Sequence, residues 1–201
     1  MRSPRTADLL SPAFYNNPSV VDVSRKLLGK VLCSNIDGTF TSGIILETEA
    51  YCGRNDKACH ANNGLRTNRT EVMYGDPGHA YIYLCYGIHH LFNVVTNVNG
   101  LADAVLIRAI YPLDGKQEII KRRNIKNERN LTDGPGKLTQ ALGINTNLNG
   151  CSLFESPVWI EDRNLKVNPK RIEATPRIGV DYAGDDAKKL WRFVISPDDV
   201  Y

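Results

Sequence analysis

The sequence predicts a mixed α+β fold, a single compact domain with a curved, mainly antiparallel sheet and flanking helices. First, 201 residues with 42% hydrophobic content are enough for one sizeable core, and no stretch has the composition of a long linker. Second, several short runs alternate apolar and polar residues between turn residues, which is typical of strands. Third, short helical patterns end at glycines. We therefore expect residues 1–201 to form one domain.

The first predicted elements are a helix and a hairpin. A short helix follows Asn17-Pro18-Ser19, because polar side chains can cap a helix, Pro fits its first turn, and Gly29 stops it. The apolar face of this helix should pack on the sheet. Strands are predicted over residues 30–35 and 39–51, joined through Asp37-Gly38, which is a strong hairpin signal.

A long loop and a meander come next. Residues 52–78 are polar and rich in Gly and Asn, which predicts a loop, and loops of this length in compact domains are usually functional or disordered. The alternating runs beyond it predict an antiparallel meander. The remaining predicted elements are strands over residues 79–86, 91–97 and 104–110, helices near 115–123 and 135–142, and short strands over 158–160, 177–182 and 190–195.

Two acids end the second strand, in the order Glu47-Thr48-Glu49-Ala50-Tyr51. Carboxylates on a half-buried strand are desolvated unless they are paired, and this perturbation suits a general base. A solvated acidic face on an edge strand is an equally open interpretation. Strand alternation predicts one face with Ile45, Glu47, Glu49 and Tyr51, and an opposite face with Ile44, Leu46, Thr48 and Ala50.

A dense aromatic segment spans residues 79–93. Its alternation and Gly87 predict two strands that meet at Tyr86-Gly87-Ile88. Tyr86 would then lie at a hairpin tip, where a ring has no core to fill and is available to a partner. Cross-strand pairing that stiffens a sheet explains Tyr81 and Tyr83 well but Tyr86 poorly.

The segment Asp133-Gly134-Pro135-Gly136-Lys137 precedes a predicted helix. Free backbone N–H groups and the helix dipole would converge there beside Lys137, which favours a phosphate-binding site at Lys137 and Gly136. A simple cap formed by Asp133 explains the pattern equally well. The net charge of +3 permits a polyanionic partner. A basic stretch is a further phosphate-facing candidate or the solvated face of a helix, and it contains Lys116, Lys121, Arg122, Arg123, Lys126, Arg129 and Lys137.

The five cysteines favour a reducing compartment, because their number is odd and no C-x-x-C pair occurs. The first residues predict neither a signal peptide nor a membrane span. We therefore expect a protein that is not secreted, cytoplasmic and nucleoid-associated if bacterial and nuclear if eukaryotic. A zinc site is a weak alternative, since the C-x6-C-H spacing is unlike structural zinc sites, and we expect no metal and no cofactor. The residues considered for zinc are Cys52, Cys59, His60, His89 and His90.

Several motifs in one order resemble the alkyladenine (3-methyladenine) DNA glycosylases of the mammalian type. The resemblance extends from about Leu10 to Ile195 and implies a compact domain with a protruding β-hairpin. It also implies a monomeric enzyme, with no membrane association, that acts on double-stranded DNA containing damaged purines. The damaged bases would be 3-methyladenine, with hypoxanthine and ethenoadenine as further substrates. The motifs are Glu47-Thr-Glu-Ala-Tyr51, Asp56-x-x-x-His60, Tyr81-x-Tyr83-x-x-Tyr86-Gly87, Asn93, Leu106-Ile-Arg108, Gly134-Pro-x-Lys137 and Arg177-Ile-Gly-Val180.

The resemblance implies roles for individual residues. Glu49 would be the general base that activates water, and Arg108 would help to hold that water. Tyr86 would enter the duplex and fill the gap left by the flipped nucleotide. Ile88 stands where the family commonly has Met, among the residues near the intercalation site. The base-binding pocket would contain Tyr51, His60 and Tyr83 as its walls and Asn93 as the residue that crowds the 2-amino group of guanine.

These roles agree with the physics of acting on a base. Extruding a nucleotide costs a few kcal/mol, so such an enzyme needs a wedge, an aromatic pocket and phosphate contacts. No lysine lies beside Glu49 in the sequence, which predicts hydrolysis without lyase activity. A glycoside or nucleoside hydrolase is one alternative, because Glu47 and Glu49 would lie about 7 Å apart on a strand. A nucleic-acid-binding module without chemistry is another.

Overall fold

The computed structural model describes Pro4, residues 8–125 and residues 130–201. The strands are β1 (Val31–Ile36), β2 (Thr39–Tyr51), β3 (Ala80–Cys85), β4 (His89–Thr96), β5 (Asp103–Pro112), β6 (Val158–Glu161), β7 (Glu173–Thr175) and β8 (Arg192–Val194). Within these ranges they form one antiparallel sheet in the order β3-β4-β5-β2-β1-β6, with β8 paired to β2 and β7 paired to β8. The α-helices are α1 (Pro12–Tyr15), α2 (Val20–Leu27), α3 (Lys116–Arg123) and α4 (Pro135–Leu142). The predicted mixed α+β architecture is confirmed.

Local sequence signals account for the helices. The Ser19 side chain accepts a hydrogen bond from the backbone N–H of Asp22 at 3.1 Å and caps α2, so the predicted polar cap is present. Pro18 precedes this cap and does not lie in the first turn, contrary to the prediction. Helix α2 buries Val23 and Leu27 against the sheet. Helix α4 ends where Gly143 adopts a φ of +72°, a conformation that favours glycine.

The hairpins have the backbone conformation that their turn residues predict. Asp37 and Gly38 have φ values of +52° and +77°, which joins β1 to β2 by a turn that matches strand twist. Tyr86 and Gly87 have φ values of +51° and +72° and, with Ile88, form the three-residue connection between β3 and β4. The predicted meander β3-β4-β5 is confirmed.

A β-bulge in β2 corrects the predicted faces of that strand. Ile45 pairs with Ile110 while Glu47 pairs with Ala109, so Leu46 is the extra residue. The bulge changes the side on which every later residue lies. Glu47, Glu49 and Tyr51 therefore share a face as predicted. Before the bulge this face contains Ile44, whereas Ile45 lies on the opposite face, in the main core with Ala50.

Two apolar clusters position the site. The main core lies between the sheet and the helices, and its largest buried side chains include Phe92, Ile107, Leu138, Leu142 and Phe193. A smaller cluster contains Met73 and Tyr74 from the loop and Tyr81 from β3. This second cluster attaches the predicted loop over residues 52–78, which contains two 3₁₀ turns, to the meander.

The strand predicted over residues 177–182 is wrong. The chain bends at Ile178 and Gly179, where Gly179 has a φ of +73°, and a 3₁₀ segment follows from Asp181 to Lys188. Strand β7 and helix α1 were not predicted, because each is too short to show a period. The basic residues Lys126 and Arg129 lie outside the described residues. No helix in the described part of the chain combines the length and the apolar character needed to cross a membrane.

Candidate active site

Glu49 lies at the centre of the predicted site. Its side chain has no solvent exposure. Oε1 accepts a hydrogen bond from the backbone N–H of Ile178 at 2.8 Å, and Oε2 accepts one from the Tyr51 hydroxyl at 2.7 Å. Arg108 Nη1 donates to Oε2 from 3.4 Å. The groups that face this carboxyl are hydrogen-bond donors, which suits the ionised, acceptor-only form of the side chain.

Glu47 has a different environment from Glu49. Its Oε1 atom accepts hydrogen bonds from Nε of Arg108 at 2.8 Å and from Nε of Arg192 at 2.6 Å. Two guanidinium groups therefore neutralise Glu47 and hold it in place. This arrangement orients Arg108 toward Glu49 and disfavours the hydrolase alternative, in which Glu47 would act as a second acid or base.

A cavity of about 560 Å³ opens beside these acids, within the size range of small-ligand sites. The structure brings most of the predicted site residues together in its wall, namely Tyr51, His60, Tyr83, Tyr86, Asn93, Arg108, Gly136 and Lys137. Glu49 lies one layer deeper, behind the Tyr51 hydroxyl and the Arg108 guanidinium. Ile88 lies outside the wall, on the exposed side of the hairpin.

His60 is held between two polar partners. Its Nδ1 atom lies 3.0 Å from the Tyr81 hydroxyl, and Nε2 lies 2.9 Å from Nη2 of Arg69. Because a guanidinium only donates, Nε2 accepts and the ring proton is on Nδ1. Burial, reinforced by the charge of Arg69, lowers the pKa of His60 to about 4. His60 is therefore neutral near pH 7, and its ring is nearly perpendicular to that of Tyr83 at a centroid distance of 4.7 Å.

Arg69 is a site residue that sequence reasoning missed. Its guanidinium lies over the Tyr83 ring, 4.7 Å from the ring centroid. A flat cation thus occupies a ring face that is expected to stack a base. Only its place in the long loop signalled a function, because nothing in the local pattern separates Arg69 from other loop arginines. Arg192 and the Ile178 N–H were also missed, because no local pattern in the sequence marks either of them as part of a site.

Tyr51 forms the wall between Glu49 and the cavity. Burial, followed by the nearby charge of Glu49, raises the pKa of Tyr51 well above its ordinary value. Tyr51 is therefore a phenol at every physiological pH and donates its proton to Glu49. Burial also raises the pKa of Tyr83 far above its ordinary value, so this wall is uncharged as well.

The hairpin tip is exposed as predicted. Tyr86 is 90% exposed and Ile88 is 71% exposed, and Leu84 beside them is 46% exposed. Tyr86 also borders the mouth of the cavity. Three apolar side chains at one tip are poorly explained by packing, which favours a partner at this position.

The start of helix α4 forms another edge of the cavity. Gly134 is the N-cap and Asp133 makes no capping hydrogen bond, so the cap alternative for Asp133 is wrong. Asp133 instead pairs with Lys137, whose Nζ lies 2.9 Å from Oδ1. A Cβ atom at Gly136 would lie 2.8 Å from Nδ1 of His89, so glycine allows this close approach. The helix start therefore packs directly against β4.

The other basic residues include a structural one, and the zinc candidates, of which Cys59, His60 and His89 line the cavity, do not form a metal site. Arg122 is largely buried and donates to the carbonyl of Ala141 at 3.4 Å, so part of the basic stretch has a structural role. Within the described ranges, no three His, Cys, Asp or Glu side chains come together as a metal site. Burial raises the pKa of Cys59 to about 12, which keeps it a thiol. The zinc alternative therefore has no support.

Comparison with known proteins identifies the family. A model of the methylpurine-DNA glycosylase family matches residues 13–199. The chain belongs to this family. A relative from Bacillus thuringiensis (strain Al Hakam) is 47% identical over 191 residues, which cover 90% of this chain and 93% of the relative. A relative from Bacillus cereus (strain G9842) is 47% identical over 192 residues, with the same coverage of 90% and 93%.

Both relatives carry the provisional name 3-methyladenine DNA glycosylase. The family predicted from the motifs is thus confirmed. As a methylpurine-DNA glycosylase, the protein is a hydrolase of N-glycosyl bonds and acts on DNA that contains damaged bases. The cavity and the buried Glu49 carboxyl are the candidate site for this reaction.

Proposed function

We propose that this glycosylase flips 3-methyladenine out of duplex DNA and hydrolyses its N-glycosidic bond with a water that Glu49 activates. The observation that carries the proposal is the position of Glu49. It is a carboxyl group without solvent exposure, held by the Ile178 N–H, the Tyr51 hydroxyl and Arg108, directly behind a cavity that can hold a base. A fixed and desolvated acid at this place suits general-base catalysis.

The cavity wall supports base flipping. Extruding a nucleotide costs a few kcal/mol, and stacking on aromatic rings returns about 1–3 kcal/mol per base. Tyr51, His60 and Tyr83 provide such surfaces in one wall. Tyr86, exposed at the hairpin tip, would enter the duplex and occupy the vacated position. Ile88 would contact neighbouring base pairs from the same tip.

The reaction follows from the charges around the sugar. The bond between the base nitrogen and C1′ breaks, its electron pair leaves with the base, and positive charge develops on the sugar. The water oxygen bonds to C1′ while Glu49 accepts its proton, and the anionic Glu49 stabilises the developing charge. Arg108, fixed by Glu47, would hold the water. Because Glu49 lies behind Tyr51, the attacking water must lie beside that hydroxyl.

Substrate range follows from the same chemistry. A base alkylated at a ring nitrogen is cationic and leaves without further protonation. Hypoxanthine and ethenoadenine are neutral, and we extend the proposal to them, with the leaving base taking up a proton from solvent water. Asn93, fixed in the wall by a 3.0 Å hydrogen bond from Nδ2 to the carbonyl of Tyr81, would crowd the 2-amino group of guanine. Normal guanine would thereby be excluded.

We further propose that the enzyme is monofunctional and monomeric. Lys137 belongs to the cavity wall, but its amine pairs with Asp133 at 2.9 Å and so is not poised as a Schiff-base nucleophile. Together with Gly136, it would contact a DNA phosphate at the start of α4. None of the five cysteines, all of which lie in the described residues, forms a disulfide, which fits work in the reducing compartment that holds the genome.

The experiment uses duplexes that carry one 3-methyladenine, hypoxanthine or ethenoadenine, with undamaged duplex and free nucleosides as controls. Free base and an alkali-labile site should appear together from the 3-methyladenine duplex. Borohydride should trap no covalent complex. Release of base from free nucleosides but from no duplex would overturn the proposal and favour a nucleoside hydrolase.

A further inference from the structure

A buried ion pair lies beneath the site. Arg177 and Asp56 form a bidentate pair with N–O distances of 2.5 and 2.7 Å, and neither side chain has any solvent exposure. Arg177 also donates to the carbonyl of Ala50 at 2.8 Å and to that of Asp186 at 3.1 Å. These partners of Nη1 and Nη2 restrict the orientation of the guanidinium and hold Arg177, whose backbone leads directly to the N–H of Ile178.

Asp56 is itself anchored in the start of the long loop. Its carboxylate accepts hydrogen bonds from the backbone N–H groups of Cys52 and Ala58, both at 3.2 Å. Its carbonyl accepts one from Cys59 at 2.9 Å. The anion that holds Arg177 is therefore fixed by the backbone that leads from Tyr51 to His60.

Arg177 contacts the surroundings of Glu49 in two ways. The next backbone N–H, that of Ile178, donates to Oε1 of Glu49 at 2.8 Å. The Arg177 guanidinium lies over the Tyr51 ring, 4.8 Å from its centroid, and the Tyr51 hydroxyl donates to Oε2. Two of the donors to Glu49 are thus placed by the same buried cation.

We propose that Arg177, anchored by Asp56, is a positioning residue for the chemical step of excision. It sets the Ile178 N–H and the Tyr51 hydroxyl against Glu49 and thereby fixes the direction in which the carboxylate faces the sugar. The inference rests on the proposed role of Glu49 as the base. Small misplacements of a reacting group cost on the order of 10²-fold in rate, so loss of Arg177 should slow excision by about that factor.

The first test separates positioning from stability. Removal of one partner leaves an uncompensated buried charge, whereas removal of both partners does not. R177M and D56N/R177M are compared by thermal melting, by lesion-duplex affinity and by single-turnover excision, at a temperature where circular dichroism shows each variant folded. Positioning predicts an excision rate about 100-fold below that of the parent in both variants, with a smaller loss of affinity. A double variant that excises at the parental rate would overturn the inference.

A matched control uses another ion pair. Arg163 donates to Glu161 at 2.7 Å and to Asp114 at 2.9 Å, and none of these residues belongs to the cavity wall. R163M should lower the melting temperature while the excision rate of the folded protein stays within about threefold of the parent. An equal rate loss in R163M and R177M would show that general destabilisation explains both, and the inference would fail.

A second pair of variants decides the question even if R177M does not fold. I178P removes the N–H that faces Glu49, whereas I178A removes the same half-exposed side chain and keeps the N–H. We expect I178P to excise at least tenfold more slowly than I178A, and equal rates would contradict the inference.

E49Q, measured in the same assay, distinguishes failure of the proposed function from failure of the positioning role. If E49Q excises normally, the proposed function fails, whereas an inactive E49Q beside a fully active R177M refutes only the positioning role.

Discussion

The hydroxyl of Tyr51 donates a 2.7 Å hydrogen bond to Oε2 of Glu49, from a ring that also forms part of the cavity wall. The Tyr51 side chain thus has two contacts, since its ring lines the cavity and its hydroxyl orients the Glu49 carboxyl. The two contributions can be separated by experiment, because phenylalanine keeps the ring and lacks the hydroxyl.

Y51F should lower single-turnover excision by about 10- to 10²-fold, since a hydrogen bond to a charged group contributes about 1.5–3 kcal/mol. Affinity for a lesion-containing duplex should change by less than about threefold because the stacking surface remains. Excision and duplex binding are measured on the same preparation. A variant with parental excision and weakened binding would show that the hydroxyl serves the base and leaves Glu49 unaffected.

The charge of Arg69 should be visible in the titration of His60. Burial is the larger cause of the lowered pKa of His60, and the Arg69 charge is the smaller one. In R69Q the pKa should therefore rise above the parental value of about 4 and stay below the ordinary value of 6.5. The His60 ring resonance in an NMR pH titration reports both values. A lower pKa in R69Q than in the parent would contradict the electrostatic assignment.

His60 also makes stability depend on pH in a defined window. Its folded pKa of about 4 lies below the value of 6.5 expected in the unfolded chain, so the unfolded state binds more protons between these limits. The stability that a neutral His60 permits is complete above pH 6.5 and decreases as the pH falls toward 4. As the pH falls from 6.5 toward 4, the free energy of unfolding should therefore decrease more in the parent than in H60Q. A constant difference would show that His60 is not the group responsible.

Tyr86 allows a test of the hairpin that spares the core. Because its ring is 90% exposed, Y86S should leave the melting temperature within about 2 °C of the parent, as expected for surface changes. Lesion-duplex affinity should fall by about tenfold or more, since stacking contributes about 1–3 kcal/mol. Thermal melting and fluorescence anisotropy give the two numbers. A large drop in melting temperature with unchanged affinity would assign the ring to packing.

Most of the longer strands and helices, and the turns between them, could be predicted from the sequence. Alternation and turn chemistry are local, so the hairpins at Asp37-Gly38 and Tyr86-Gly87 could be placed before the structure was known. The bulge at Leu46 could not, because one extra residue leaves no mark in an apolar run. Short elements such as β7 are set by pairing with a distant strand rather than by their own residues.

The site was predictable in part for a similar reason. Glu49 and the aromatic wall are visible as unusual residues within their own segments. The donors that orient Glu49 come from elsewhere in the chain, as shown by the Ile178 N–H, 129 residues away from it. No local pattern encodes such a contact. Arg69 likewise acquires its position over Tyr83 from loop packing, which depends on the whole fold.

The most direct measurement is single-turnover release of 3-methyladenine from duplex DNA by the parent and by E49Q, with duplex affinity measured in parallel. Glutamine keeps the shape of the side chain and cannot accept the proton of water. We expect E49Q to bind the lesion duplex with affinity close to that of the parent and to excise the base at least 10²-fold more slowly. Excision by E49Q at the parental rate would show that Glu49 is not the base that activates water.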